Sequence, residues 1–176
     1  MCRTSDKVSA AMGLDPDDVA RRAFETAART PNAWLGYADL DKRVADKLWP
    51  DDFLASRGLG ELLIAMGHAG QAIEILLKGI CITKRPEVVA DGKLTRLKTH
   101  DVVKLATTAD IALDTQEVTL LNQLAAFVLW AGRYPLPLAL GKTGFAAIRP
   151  EDKARIDGLY QRLFEALRDG TDRKPA

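Results

Sequence analysis

The side chains that could do chemistry in this sequence are Glu74, Lys78, Arg96, His100, Arg133 and Tyr134. An imidazole titrates near neutrality, so His100 can take or give a proton, while lysine and arginine can balance charge on a phosphate. Glu74 and Lys78 stand four residues apart with the acid on the N-terminal side, the favourable order for a helical ion pair of about 0.2–0.5 kcal/mol. If their helix is largely buried, both charges need partners, and Glu74 could reach His100 or Arg133 and lock helices in register. Lys93, Arg96 and Lys98, preceded by Lys84 and Arg85, form a local basic cluster suited to a phosphate or an RNA backbone.

Each of these residues also has a plainer structural meaning. At a helix start, His100 can cap a carbonyl or pack over the core, and Glu74 with Lys78 can be a polar network with no ligand. His68 precedes Ala69-Gly70 on a mostly apolar helix and reads as a satisfied core or groove histidine. Arg133-Tyr134-Pro135 can place a guanidinium and a phenol beside a groove, or simply stop a helix with arginine on its last carbonyls. Gly141-Lys142-Thr143 is no phosphate loop, because Leu136 stands where the earlier glycine is required. Gly58-Leu59-Gly60 lacks a third glycine, since position 63 is leucine, and no strand precedes it. Two histidines and two cysteines without close spacing imply no metal site, and no cofactor is expected.

Those side chains must be positioned by helices. Asp15-Pro16-Asp17-Asp18 supplies an N-cap oxygen, a first-turn proline and two carboxylates at the positive end of a dipole. A helix is expected from there to about position 29, with Val19, Ala20, Ala23, Phe24, Ala27 and Ala28 forming an apolar stripe, Arg21, Arg22, Glu25 and Arg29 outside it, and Pro31 as its end. A less regular helix follows before Pro50. A central helix, from about position 51, gathers Leu59, Leu62, Leu63, Met66, Ile73, Leu76, Leu77, Ile80 and Cys81 on one broad arc and closes at Lys84-Arg85-Pro86. Gly67 and Gly70 within it mark a close helix approach or a break. After a loop over 86–98 containing Asp91-Gly92, Thr99 is the expected N-cap of a short helix burying Val102, Val103, Ala106 and Ala109. Asp114 and Glu117 have capping-box spacing for the next, which buries Val118, Leu121, Leu124, Ala125, Val128 and Leu129. A last helix begins near Pro150-Glu151-Asp152, carries Ile156, Leu159, Tyr160, Leu163, Phe164 and Leu167, and stops at Asp169-Gly170.

An all-α, up-and-down bundle of about five or six helices follows. The expected organisation is a flexible N-terminus at 1–14, a single helical domain at 15–170 and a frayed tail at 171–176. With 176 residues, one domain is favoured over two small ones. Apolar residues at 47% and charged ones at 28% fit a globular chain, and a formal net charge of +1 gives no global basic excess for non-specific nucleic-acid binding. Cys2 and Cys81 are too few for a disulfide framework, and a reduced cytoplasmic setting is expected. The N-terminus has no apolar run of a secretory signal, and the most apolar window, 119–140, is broken by polar residues and prolines, so no membrane association is expected.

From about 59 to about 137, the ordered pieces are Glu74 and Lys78 on one helix, His100-Asp101 opening the next with Val102, Val103 and Leu105, then the Arg133-Tyr134-Pro135 ending. In that order they resemble the HEPN family, helical domains of bacterial nucleotidyltransferase, toxin-antitoxin and defence systems. The resemblance implies a four-helix core with extra helices here, homodimerisation through a helical face, and association with RNA, a nucleotide or a partner protein. RNase members of that family carry an arginine and a histidine with four to six residues between them on a late helix. This chain departs from the pattern: three residues separate Arg96 from His100, and no histidine follows Arg133. The first expectation is therefore a non-catalytic binding or dimerisation module, with Lys78, Arg96, His100, Arg133 and Tyr134 at its ligand surface and Glu74 as orienter. A metal-independent RNase using His100 with Arg96 or Arg133 is the second. A purely structural interaction domain, with Trp34, Trp49 and Trp130 as contact, is the third.

Overall fold

Leucine, isoleucine and alanine occupy nearly every face of one long segment, and the helix they form is the axis on which the other elements pack. The computed structural model describes residues 15–51, 58–128 and 152–171. Among them are six α-helices: α1 (Pro16–Ala28), α2 (Pro31–Leu48), α3 (Gly58–Lys84), α4 (Val102–Thr108), α5 (Thr115–Ala126) and α6 (Asp152–Thr171). A 3-10 turn at Pro86–Val88 leads into a small antiparallel hairpin, β1 (Val89–Ala90) and β2 (Lys93–Leu94). The bundle is all-α apart from that hairpin.

The axial helix α3 has 27 residues and touches α2, α4, α5 and α6. Leu62, Met66, Ile73, Leu76, Leu77, Ile80 and Cys81 are all buried along it, as its apolar arc predicts. Trp34 meets Gly79 at one end of the contact with α2 and Asp41 reaches His68 at the other, so α2 runs antiparallel to α3. Leu167 meets Gly79 and Gly170 lies beside Thr83, so α6 runs parallel to it.

Two glycines permit these approaches. A Cβ at Gly70 would stand 2.7 Å from Val128 Cγ2 and 3.2 Å from the Leu124 carbonyl, and one at Gly79 would stand 2.8 Å from Leu167 Cδ2 and 2.9 Å from Trp34 Cβ. Close approach is therefore the role of Gly70, and α3 passes through Gly67 and Gly70 without a break.

Several local expectations are met and several are corrected. Asp15 caps α1 and the Asp114–Glu117 capping box opens α5 with both reciprocal bonds in place. Pro31 does more than end α1, since it is the first residue of α2. The N-cap of α4 is Asp101, whose carboxylate accepts the Lys104 N–H at 2.9 Å; Thr99 instead accepts the Asp101 N–H one step earlier. The loop over 86–98 is partly ordered by the Asp91-Gly92 turn, where both residues take positive φ (51° and 66°), the geometry that a two-residue hairpin demands.

The apolar stripe of α1 is present but mostly uncovered. Only Ala28 of it is buried, while Val19 and Phe24 remain 36% and 41% exposed. Periodicity identifies an apolar face and is silent on what covers it. Of the expected contact tryptophans, Trp34 and Trp49 are half-buried against the core, and among the described residues the exposed large apolar side chains are Val19, Phe24, Tyr37, Leu40 and Ile64. Leu129, Trp130, Arg133, Tyr134 and the 141–143 turn lie outside the described residues, as do 1–14 and 172–176.

Candidate functional site

Glu74 sits at the middle of α3 and is buried, an unusual place for a carboxylate without partners. It has two. One turn on, Lys78 donates to Oε1 at 2.6 Å. From the loop before α4, His100 Nδ1 lies 3.2 Å from Oε1 and 3.0 Å from Oε2. The carboxylate thus fixes an ammonium on its own helix and an imidazole delivered by a segment 26 residues away. Lys78 is mostly covered, with 16% of its side chain exposed, whereas His100 is 51% exposed and faces outward.

A cavity of about 290 Å³ opens beside this cluster, and its wall includes Glu74, Lys78, His100, Gln71 and His68. Both histidines of the chain therefore open onto one groove. His68 is held like His100, with its Nδ1 2.8 Å from Asp41 Oδ1 on α2. In each ring the nitrogen next to the backbone is engaged by a carboxylate, and among the described residues Nε2 makes no hydrogen bond. The groove side of α3 is one face in sequence: His68, Gln71, Glu74 and Lys78 recur at three and four residues. That regular spacing is the signal that would have joined His68 to the other site residues. Asp41 offers no such signal, because its approach depends on α2 folding back along α3.

The expected site residues divide accordingly. Glu74, Lys78 and His100 converge, and the link from Glu74 to His100 is formed. Arg96 does not line the groove. It is exposed in the connecting segment with a left-handed backbone, φ 65°. Arg133 and Tyr134 lie outside the described residues. The segment 93–100 nevertheless contributes twice, since it carries Leu94 and His100 to the groove and exposes Lys93, Arg96 and Lys98 around them. Among the described residues those three cations make no ion pair. Lys84 and Arg85 of the same basic cluster are engaged elsewhere, on the Ala109 carbonyl and on Asp110.

Chemically, the arrangement offers an ammonium, an amide and two imidazoles of fixed orientation around one small cavity. That set can hold an oxyanion by charge-assisted hydrogen bonds. It can also move protons, because two rings backed by carboxylates line the same cavity. Among the described residues no cluster of three or more histidine, cysteine or acidic side chains could hold a metal ion. Cys81 is buried in the core, its Sγ directed at the Leu105 carbonyl, and burial pushes its thiol up, away from the reactive thiolate. No described helix is long and apolar enough to cross a membrane.

Compared with protein-family models, with curated proteins and with solved structures, the chain matches none. The functional reading rests on the groove itself.

Proposed function

We propose that the groove on α3 binds the phosphate of a nucleotide, free or within an RNA strand, and that the protein is a HEPN-like binding module without catalysis of its own. A homodimer or a partner protein of a bacterial defence or toxin-antitoxin pair is the setting this reading implies. The observation that carries it is the buried Glu74, which holds Lys78 and His100 side by side at a cavity that His68 and Gln71 also line. The exposed cations Lys93, Arg96 and Lys98 would draw a polyanion toward that opening.

The test is fluorescence anisotropy of a labelled single-stranded RNA at about 50 to 200 mM salt, a range over which phosphate contacts weaken steeply. Wild-type protein should bind, and Lys78→Gln should weaken binding and make the salt dependence shallower by about one contact. Affinity unchanged in both Lys78→Gln and His100→Gln would remove the proposal.

A second reading, a metal-independent RNase, is favoured by one observation: the two imidazoles are oriented alike, each by a carboxylate on Nδ1. In that reading His100 works with His68 and not with Arg96. One ring accepts the proton of a 2′-hydroxyl as its oxygen attacks phosphorus, and the other gives a proton to the departing 5′-oxygen, leaving a 2′,3′-cyclic phosphate. Cleavage to that product, lost in both His68→Ala and His100→Ala with folding retained, would replace the first reading by the second.

A further inference from the structure

A second cavity, about 320 Å³, lies between α1 and α2 and is lined by Phe24, Ala27, Ala33, Trp34, Tyr37 and Leu94. Trp34 and Leu94 belong to its wall and to that of the polar groove, so the two spaces adjoin across one indole ring. Three aromatic side chains around a cavity of this size leave room for a planar ring. Phe24 and Tyr37 are 41% and 68% exposed, so their rings are accessible to a ligand.

The ring of Trp34 is held in place. Its Nε1 donates to the Ala28 carbonyl at 2.7 Å, and its base packs on Gly79, where no side chain would fit. The far wall is anchored too: the hairpin that carries Leu94 is tied to α1 by Arg29 on the Val89 carbonyl at 2.7 Å and by Glu25 on the Gly92 N–H at 3.3 Å. With the indole N–H already engaged, Trp34 presents its π-face and no donor.

We propose that this aromatic cavity is a nucleobase subsite continuous with the groove, in which Trp34, Phe24 and Tyr37 stack a base whose phosphate is held by Lys78, His68 and His100. The inference rests on the phosphate-binding reading of the groove and gives it a ligand class: a nucleotide unit of single-stranded nucleic acid, taken with little preference among bases. Stacking tolerates any base because every base has a π-face, and the cavity offers almost no polar atom to read an edge. Its alternating character, apolar on one side of Trp34 and cationic on the other, matches a base joined to a phosphate better than it matches an apolar helix, which would leave the groove unfilled.

The experiment compares two probes on the full chain, a fluorescein-labelled hexa-adenylate RNA and the same ribose-phosphate backbone without bases. Wild-type protein should bind the adenylate about tenfold or more tightly than the abasic strand, within the range that one stacked base contributes. Phe24→Ala and Tyr37→Ala, both at exposed positions, should each remove most of that advantage and leave abasic binding unchanged, while Lys78→Gln should weaken both probes. Equal affinity for the two probes, or an advantage that survives the Phe24→Ala/Tyr37→Ala double variant, would overturn the subsite and leave phosphate binding standing. Failure to bind either probe would overturn both. Loss of self-association in the double variant with adenylate affinity intact would assign the aromatic surface to a second copy of the chain and likewise overturn it.

Discussion

Adjacent residues on α2 lead to two polar clusters of opposite character. Asp41 turns toward α3 and holds His68 in the groove, whereas Lys42 turns toward α6 and enters a seam of charges. In the seam Lys42 contacts Asp46 at 2.6 Å and Asp157 at 2.9 Å, and Lys153 contacts the same two carboxylates at 2.8 Å. Two cations and two anions close on each other, with Tyr160 beneath Lys42 and Trp49 beneath Lys153. Burial raises the Asp46 carboxyl, but the hydrogen bonds from Lys153 and Lys42 outweigh it and hold it below its ordinary value; Lys153 is held above its own against burial by Asp157 and Asp46. Tyr160, covered by the seam, is pushed up to about 12 by burial, with Asp39 and Asp46 adding to the effect. The charges of the seam are paired with one another, while the Tyr160 hydroxyl is buried beside them with no hydrogen-bond partner among the described residues. In the groove the carboxylates are likewise engaged, yet both imidazoles line a cavity with Nε2 outside the carboxylate contact. What separates a candidate site from a structural network here is a second ring nitrogen on each histidine, outside the carboxylate contact and beside a cavity.

The strongest way to break this contrast is to remove the centre of the groove. Glu74→Ala leaves Lys78 partly buried without its partner and should cost about 2–4 kcal/mol in urea unfolding, near the loss typical of breaking a buried pair. It should also abolish RNA binding. Replacing Glu74 and Lys78 together by leucine and methionine should restore most of the stability and none of the binding, which separates the fold from the site.

Helix spacing gives the next effect. Gly79→Ala forces a methyl against Trp34 Cβ and Leu167 where α2 and α6 meet α3, and Gly70→Ala forces one against Val128 and the Leu124 carbonyl in the wall of α5. Overpacking costs about 1–3 kcal/mol, offset in part by about 1 kcal/mol of helix propensity. Thermal melts should show both variants destabilised. Because Val128 lines the groove, Gly70→Ala should in addition change RNA affinity.

How much of this was legible in the sequence follows the range of each interaction. Glu74–Lys78 could be read directly, because helical geometry alone makes residues four apart neighbours. The Asp114–Glu117 box was equally local. Glu74–His100 could be anticipated only as one option, since it needed the turn at Asp91-Gly92 and the Asp101 cap to bring the loop back over α3. Asp41–His68 was not legible, because it exists only through the antiparallel packing of α2. The apolar stripe of α1 was legible as a stripe, but not what covers it: the sequence period is the same whether the face is buried or, as at Val19 and Phe24, exposed.

The seam should yield the smallest effects. Asp46→Asn involves a side chain 43% exposed, and screening should keep its cost below about 1 kcal/mol, with RNA affinity unchanged. Its pH dependence has a definite sign. The lowered Asp46 contributes stability above its unfolded value near about 4 and loses it as pH falls through the lowered folded value; the raised Lys153 contributes below about 10.4 and loses it as pH climbs through the raised one. Denaturant midpoints measured across pH should show both wild-type slopes, and Asp46→Asn should flatten the acid limb.

The most direct measurement is long-range 1H–15N correlation of the two imidazoles during titration with the hexa-adenylate strand. Only two histidines exist, so each ring is resolved and followed separately. The account predicts that the Nε2 signals of His68 and His100 move together with one dissociation constant, and that Lys78→Gln weakens both alike. Movement of one ring without the other, or of neither at saturating RNA, would contradict a single groove built from both.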